Sequence, residues 1–400
     1  MLRLRAGAAP SAAPSLTAPA RVGLGSIARE WLRIGAIGFG GPPTHIALLR
    51  RLCVDHQHWL SAVEFEDGIA AVNLLPGPAS TQLAIYCAWR LGGPWGAIVG
   101  GACFIGPGLV LILALSTLFL GAQPPSWVMG AAAGAGAAVP AVALDAAATL
   151  MPASWQRAAD TPAARGRWFA YLLAGALAAG LLGSALVVVL VVAGLIEVIV
   201  SRTIAPSARM VSLLPAVALP TLAGLLAVAW VAFKVGALSY GGGFVIIPLM
   251  QHDAVHTYHW MTSAQFLDAV ALGQITPGPV VLTVAVVGYA AAGLKGGILA
   301  TLVAFTPSFA FVLAGGPRFG QIRASASAQA FLRGAGPAAI GAIAGASIPL
   351  ALSLSQAWQL AVLGAAIAWL VVRRHGVVSV LVLAGLLGVA AALAGLPPSR

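Results

Sequence analysis

Charged side chains are scarce in this chain. They make up 8% of its 400 residues, whereas 60% of the residues are hydrophobic. Soluble domains carry roughly 25% charged residues, so this composition excludes a water-soluble globular surface. Uncharged runs long enough to cross a hydrocarbon core, which takes about 20 residues, occur at 102–122, 168–196, 211–233 and 376–397. The chain is therefore predicted to be a membrane protein with several spans.

Cysteines and acidic residues are also few. Cys53, Cys87 and Cys103 share no metal-binding or redox spacing, so no disulfide framework is implied. The apolar runs lack the alternation of strands, and lipid forces every backbone group to pair internally, which favours an all-α protein over a barrel. Ten acidic against 21 basic residues give a net charge of +11. Positive-inside loops, anionic lipid headgroups and an anionic cargo all fit this excess.

The ends of the apolar runs suggest a topology. Residues 1–25 contain basic residues but lack the apolar core of a signal peptide, so we expect a disordered N-terminal tail. The segment RAADTPAARGR, residues 157–167, carries three arginines and is the clearest cytoplasmic loop of the first half. Asp145 and Glu197 are isolated acids, which we expect at helix ends.

An offset of 201 residues aligns the chain with itself. It places Gly40-Gly41 on Gly241-Gly242, His58-Trp59 on His259-Trp260, Pro76-Gly77-Pro78 on Pro277-Gly278-Pro279, and Gly92 on Gly293. An ungapped match over some sixty residues predicts a duplicated unit, with one repeat over 26–205 and the second over 206–400. We expect the two repeats to be inverted.

Each repeat opens with a broken helix, at GFGGPPTH and SYGGGFVIIP. Ser61 followed by Glu64 has the spacing of a capping box and predicts a helix start, as Thr262 or Ser263 does in the second repeat. That helix has only about a dozen residues before PGP stops it, and another short helix follows. Two half-length helices that meet at PGP predict a re-entrant hairpin or a span interrupted at the midplane.

Breaks at matching positions of a repeat are a sequence indicator of a transport site between the halves. Each helix N-terminus carries free N–H groups and about half a positive charge, so four such termini could face a buried anion. The repeated cations Arg33 and Lys234 are candidate counter-charges, with snorkelling to headgroups as the alternative. The amides and hydroxyls near PGP are candidate ligands, unless they satisfy backbone groups freed by proline. The predicted substrate-binding residues are Arg33, Gly40, Gly41, Asn73, Pro76, Gly77, Pro78, Ser80, Thr81, Gln82, Lys234, Tyr240, Gly241, Gly242, Gln274, Thr276, Pro277, Gly278 and Pro279.

Two further groups could titrate or bind a metal. Asp67 and Asp268 recur at one repeat position and are candidates for proton coupling, with a solvated or arginine-paired structural role as the alternative. His252, His256 and His259 share a helical face, a pattern that zinc could use. An arginine occupies the position of His252 in the first repeat and would repel a metal, so no metal and no cofactor is expected.

Four motifs resemble the chromate ion transporter family in its long, two-domain form. They are WLRIGAIGFGGPPTHIALL, NLLPGPASTQLAIY, FKVGALSYGGGFVIIPLM and LGQITPGPVVLTVAVVGY. The resemblance covers nearly the whole chain beyond the tail. It implies efflux of chromate across the bacterial inner membrane, chromate resistance, and competition or exchange with sulfate, another tetrahedral dianion. The residues that carry it are the two cations, Asn73, Gln274 and the glycines and prolines of the GG and PGP motifs.

Two rival functions are open at this point. One is a permease of the same architecture for sulfate or another oxyanion. The other is a membrane enzyme that acts on a lipid phosphate through Glu64, Glu66 and His58, which is disfavoured because only His58 of these recurs in the second repeat. The chain has no P-loop, so a primary pump within it is not indicated. The expected partners are chromate, sulfate and membrane lipids, not nucleic acid, and a homodimer is left open.

Overall fold

The structure is a computed structural model that describes residues 21–73, 75, 77–121, 124–158, 161–182, 186–204, 224–239, 245–315, 325–373 and 376–397. All regular elements of these residues are helical, as predicted. The first half contains α1 Leu24–Ile37, α2 Pro42–Arg50, α3 Ala62–Val72, α4 Ala79–Phe119, α5 Ser126–Arg157, α6 Pro162–Leu177 and α7 Leu186–Ile204. The second contains α8 Gly224–Leu238, α9 Ile246–Gln251, α10 Ser263–Ile275, α11 Thr283–Gly315, α12 Ala326–Leu352, α13 Ala357–Arg373 and α14 Val377–Leu393.

Four of the described helical segments are long and apolar enough to cross a membrane. They are Ala79–Phe119, Ser126–Arg157, Val280–Gly315 and Ala326–Leu352. The first and third of these correspond to each other in the repeat, as do the second and fourth. A multi-pass membrane protein is therefore confirmed by length and composition.

The repeat is visible in local backbone geometry. α2 and α9 each run into a π-helical turn, Arg51–His56 and His252–Thr257. His58 and His259 then adopt φ values of 51° and 52°. Capping boxes start α3 at Ser61 with Glu64, and α10 at Thr262 with Gln265, as the spacing predicted. Of the two caps considered for the second repeat, Thr262 is the one used.

The predicted half-length helices are present. α3 has 11 residues, about 16 Å at 1.5 Å per residue, which is short of a hydrocarbon core of about 30 Å. α4 is broken at Gly93 (φ 64°, ψ −156°) and α11 at Gly293 (φ 62°, ψ −153°), so each contains a short arm followed by a full span. Gly93, and not Gly92, is thus the counterpart of Gly293. The second repeat is one residue shorter between PGP and this break.

The spans after these breaks run antiparallel. A β-carbon on Gly101 of α4 would lie 2.4 Å from the Phe309 ring of α11, and one on Gly297 would lie 2.5 Å from the Leu113 side chain. Later residues of α4 therefore contact earlier residues of α11. Because the two helices are equivalent in the repeat, the halves have opposite orientations, as expected from the sequence.

The halves also exchange their last helices. α5 packs on α13 and α14 of the second half, whereas α12 packs on α6 and α7 of the first. Close crossings support this exchange: a β-carbon on Gly130 would lie 2.5 Å from the Gly388 carbonyl oxygen, and one on Gly334 would lie 2.0 Å from that of Ala193. The long helices α5 and α12 therefore lie in contact with each other at the centre of the molecule.

Candidate functional site

Each PGP turn contacts the broken helix of the opposite half. The Gly77 N–H donates to the Ser239 carbonyl over 2.7 Å, and the Gly278 N–H donates to the Gly38 carbonyl over 3.0 Å. Gly38 and Ser239 are equivalent at the offset of 201, so these two hydrogen bonds form a symmetric pair. Both turn glycines have φ values, 120° and 100°, that residues with a side chain rarely adopt. The breaks of both repeats therefore meet at one place.

A cavity of about 730 Å³ lies beside this meeting point. Its size falls within the usual range of small-molecule sites. Both halves supply its wall, with α5 of the first half and α12 of the second forming long sides. The wall includes Gly40, Gly41, Pro42, Asn73, Gly77, Ala79, Asp145, Arg157, Val245, Gln274 and Val280.

Four helix N-termini reach the cavity wall. Gly41 is the N-cap of α2, Ala79 is the first residue of α4, and Val245 is the N-cap of α9. Val280 begins the 3₁₀ turn that leads into α11. None of the four has a side-chain cap among the described residues. Uncapped N-termini expose N–H donors and the positive end of the helix dipole, so the wall is suited to a negative solute.

Several predicted ligands lie in this wall: Gly40, Gly41, Asn73, Gly77 and Gln274. The Gln274 side chain is buried, and its Nε2 has no hydrogen-bond partner among the described residues. A buried donor without a partner is costly unless water or a ligand accepts from it. Gln274 is therefore the predicted amide best placed to bind an anion.

Other predicted ligands lie outside the wall. The Thr276 hydroxyl donates to the Leu272 carbonyl over 2.7 Å, the backbone role left open above. Ser80, Thr81 and Gln82 are buried in the first turn of α4. Pro78, Pro277, Gly278 and Pro279 complete the two turns without lining the cavity. Pro76, Tyr240, Gly241 and Gly242 lie outside the described residues, as does the tail up to residue 20.

His45 holds the first break together and was missed by the sequence analysis. Its ring is fully buried, with Nε2 donating to the Gly38 carbonyl over 2.9 Å and Nδ1 lying 3.3 Å from the Ser80 hydroxyl. It thereby connects the end of α1 with the start of α4. Isoleucine occupies the equivalent position 246, so repeat matching could not reveal it. Its position in the motif GFGGPPTH was the sequence feature that could have indicated this role.

The two repeated cations have different surroundings. Arg33 is exposed on α1, and Lys234 forms an ion pair of 2.5 Å with Asp253. Leu52 occupies the position equivalent to Asp253 in the first half, so that half lacks the matching acid. Neither cation lines the cavity. A different cation, Arg157, does so at the C-terminus of α5.

The acidic residues are also placed differently from one another. Asp67 is exposed, and Asp268 is 3% exposed and packs against Gly136 of α5. Neither lines the cavity, whereas Asp145 does. Asp145 lies 12 residues before the end of α5, so the expectation of a helix-end position was wrong for it.

The acids of the rival enzyme make structural contacts. Glu64 caps α3 and pairs with Arg90, and Glu66 pairs with Arg50 over 3.6 Å. The described residues contain no cluster of three or more His, Cys, Asp or Glu side chains arranged to hold a metal ion. These contacts give Glu64 and Glu66 structural roles in the first turns of α3.

Comparison with known proteins matches both halves to one family. The sequence model of the chromate transporter family matches residues 25–198 and 226–389. The chromate transport protein of Cupriavidus metallidurans is 33% identical over 334 residues, which cover 80% of this chain and 81% of the relative. That of Pseudomonas aeruginosa is 32% identical over 381 residues, 90% of each chain. A probable chromate transport protein of Synechococcus elongatus is 29% identical over 341 residues, 82% of this chain and 84% of the relative. No solved structure matches.

Proposed function

Because the chain belongs to the chromate transporter family, we propose that it is a secondary active transporter that exports chromate across the bacterial inner membrane and so confers chromate resistance. The family is one of transporters, which excludes the enzyme considered above. One observation supports an anion site between the repeats: four uncapped helix N-termini, two from each half, share one cavity wall.

The physical argument is electrostatic. Moving an isolated charge from water into a medium of low dielectric costs tens of kcal/mol before compensation, and a dianion costs more. Helix N-termini compensate part of this cost without a net charge of their own. A site built from N–H donors can also release its ion readily, since these donors carry no net charge. Asn73 and Gln274, one from each half, would add amide donors.

The position of Arg157 supports loading from the cytoplasm. This residue ends α5 and begins the arginine-rich segment that the positive-inside rule places in the cytoplasm. The cavity wall extends from Asp145 to Arg157, about 18 Å along α5, so the cavity would open to that side. An inside-negative potential favours outward movement of negative charge by about 2.3 kcal/mol per charge per 100 mV. A proton gradient or anion exchange would supply further energy.

Chromate uptake into inside-out vesicles tests the proposal. Vesicles that contain the protein should accumulate chromate when their lumen is made positive, and those without it should not. Replacement of Gln274 by Leu removes an amide whose hydrogen bonds to a charged ligand are worth about 1.5–3 kcal/mol, so we expect uptake to fall at least about tenfold. The exposed residue Gln57 lies outside the wall, and Gln57→Leu is the matched control.

The same assay separates chromate export from its closest alternative. Excess sulfate should compete weakly if chromate is the physiological cargo. Stronger uptake of labelled sulfate than of chromate would favour the general oxyanion permease. Equal chromate levels in vesicles with and without the protein would contradict the proposal.

A further inference from the structure

Asp145 lines the proposed anion cavity, although its charge has the same sign as the proposed solute. It is the one acidic residue in the described part of the wall. Its side chain is partly buried and forms no hydrogen bond or ion pair with any described residue. Intramembrane acids are rarely left without a partner unless they act on an ion or a proton. The second repeat has no acid in α12, so Asp145 is not explained by the duplication.

The helices that pack on α5 carry few charged side chains. α6 packs on the C-terminal end of α5, where Trp168 donates to the Ser154 hydroxyl, and its Arg165 and Arg167 interact with Trp155 and with Glu197 of α7. α5 itself contributes Arg157, 12 residues away, and α10 contributes Asp268, which lies against Gly136, nine residues from Asp145. The charged residue described on α12 is Arg333, whose guanidinium donates to the Ser201 hydroxyl of α7. The described residues of α14 include no charged side chain, and α13 carries its single charge at its last residue, Arg373. Asp145 is therefore the negative charge of the described wall that an anion in the cavity would meet.

A dianion and a carboxylate in the same cavity repel each other. Apolar walls screen this repulsion less than bulk salt solution does. The repulsion is removed when the carboxylate binds a proton. By linkage, an anion that favours the protonated form is itself bound more tightly as the pH falls.

We infer that Asp145 takes up a proton when the cavity binds its dianion, so that the anion and the proton occupy the transporter together. This inference rests on the proposed function, since it needs an anion in the cavity. The proton comes from the bulk solution by way of water that enters with the anion, and it is held on a carboxylate oxygen of Asp145. A carrier loaded with a dianion and one proton moves one net negative charge instead of two. The membrane potential still drives that charge outward. The proton itself moves against an inward pH gradient, so in this scheme the driving energy comes from the potential or from anion exchange.

Proton uptake on binding is the direct test. Purified wild-type protein in weakly buffered detergent solution is mixed with chromate, and a pH indicator reports the protons taken up while equilibrium binding reports the anions bound. Chromate itself takes up a proton near neutral pH, so sulfate and a protein-free titration serve as references. We expect close to one additional proton per bound dianion in wild type and in Asp145→Glu, and none in Asp145→Asn.

Affinity against pH gives a second readout. The ratio of the chromate Kd of Asp145→Asn to that of wild type cancels the protonation of chromate, because both proteins meet the same solution. That ratio should fall by up to tenfold for each unit of rising pH between the pKa of Asp145 in the empty protein and its pKa with the anion bound. Asp67→Asn and Asp268→Asn are controls outside the wall and should behave as wild type.

The possible outcomes are distinct. Chromate binding by wild type without proton uptake, or uptake that Asp268→Asn abolishes and Asp145→Asn does not, overturns the inference and leaves the anion site standing. No binding of chromate or sulfate to wild type overturns both the inference and the proposed site. The wild-type proton count requires no variant, so a poorly folding substitution does not prevent a decision.

Discussion

Variants of the ion pair between Lys234 and Asp253 can separate a structural role of the repeated cations from a substrate-binding role. The side chains of Lys234 and Asp253 are only 19% and 11% exposed. Removal of one partner leaves the other charge partly buried, which we expect to cost about 1–3 kcal/mol, less than for a fully buried pair. Lys234→Gln should therefore lower the thermal midpoint in detergent, and Lys234→Gln with Asp253→Asn should recover most of the loss.

Transport by the double variant then tests the counter-charge directly. If Lys234 acts on the anion, the double variant is stable but exports little chromate, and Arg33→Gln, which breaks no described ion pair, behaves in the same way. Normal transport by both proteins would show that these cations act outside the site. Asp253→Leu is a useful companion, because leucine is the residue at the equivalent position 52.

At the scale of single residues, the sequence predicted what depends on local spacing. The capping boxes follow from a hydroxyl and a Glu or Gln three residues apart, so Ser61 and Thr262 could be identified without coordinates. Asp145 and Arg157 could not be assigned to a cavity in this way. These two residues line the cavity because the second half does not cover their face of α5. No local sequence pattern indicates which face that is.

Among the helices, α4 and α11 each reverse direction sharply, at Gly93 and Gly293. Each short arm therefore packs against the span that follows it. A β-carbon on Gly96 would lie 2.3 Å from the Ala88 carbonyl oxygen, and one on Gly296 would lie 2.1 Å from that of Gly288. These contacts are with backbone atoms, which cannot rotate away. The sequence predicted the short arms from PGP, but the ungapped alignment of Gly92 with Gly293 placed the first break one residue before Gly93, where it lies.

Glycine substitutions within α4 test this packing. Gly96→Ala should destabilise the protein by about 1–3 kcal/mol, because the two backbones would have to separate. Gly106 lies in the same helix, and a β-carbon there would have no described atom within 4 Å, so Gly106→Ala should be neutral or should stabilise by up to about 1 kcal/mol. Thermal midpoints in one detergent compare the two variants. Equal midpoints would contradict the close approach at Gly96.

At the scale of the whole molecule, duplication was evident from the sequence, but the exchange of helices was not. An offset of 201 residues identifies equivalent positions, whichever partners those positions contact. The packing of α5 on α14, and of α12 on α7, joins segments far apart in the chain. In the sequence, its one sign is the large number of small residues in these helices. Because each half covers the long helix of the other, neither half buries its own core alone. The two are expected to fold and unfold together.

The inverted arrangement makes a topological prediction. Ala163, at the start of α6, and Ser355, between α12 and α13, are both exposed and follow equivalent helices, α5 and α12. In a background with Cys53, Cys87 and Cys103 replaced by Ala, Ala163→Cys should react with a membrane-impermeant maleimide only in inside-out vesicles. Ser355→Cys should react only in right-side-out cells. Inverted halves require opposite sides because the helices before the two positions run in opposite directions. Reaction of both from one side would contradict the inversion, and Ala163 labelled from outside would turn the cavity mouth away from the cytoplasm and remove the structural argument for export.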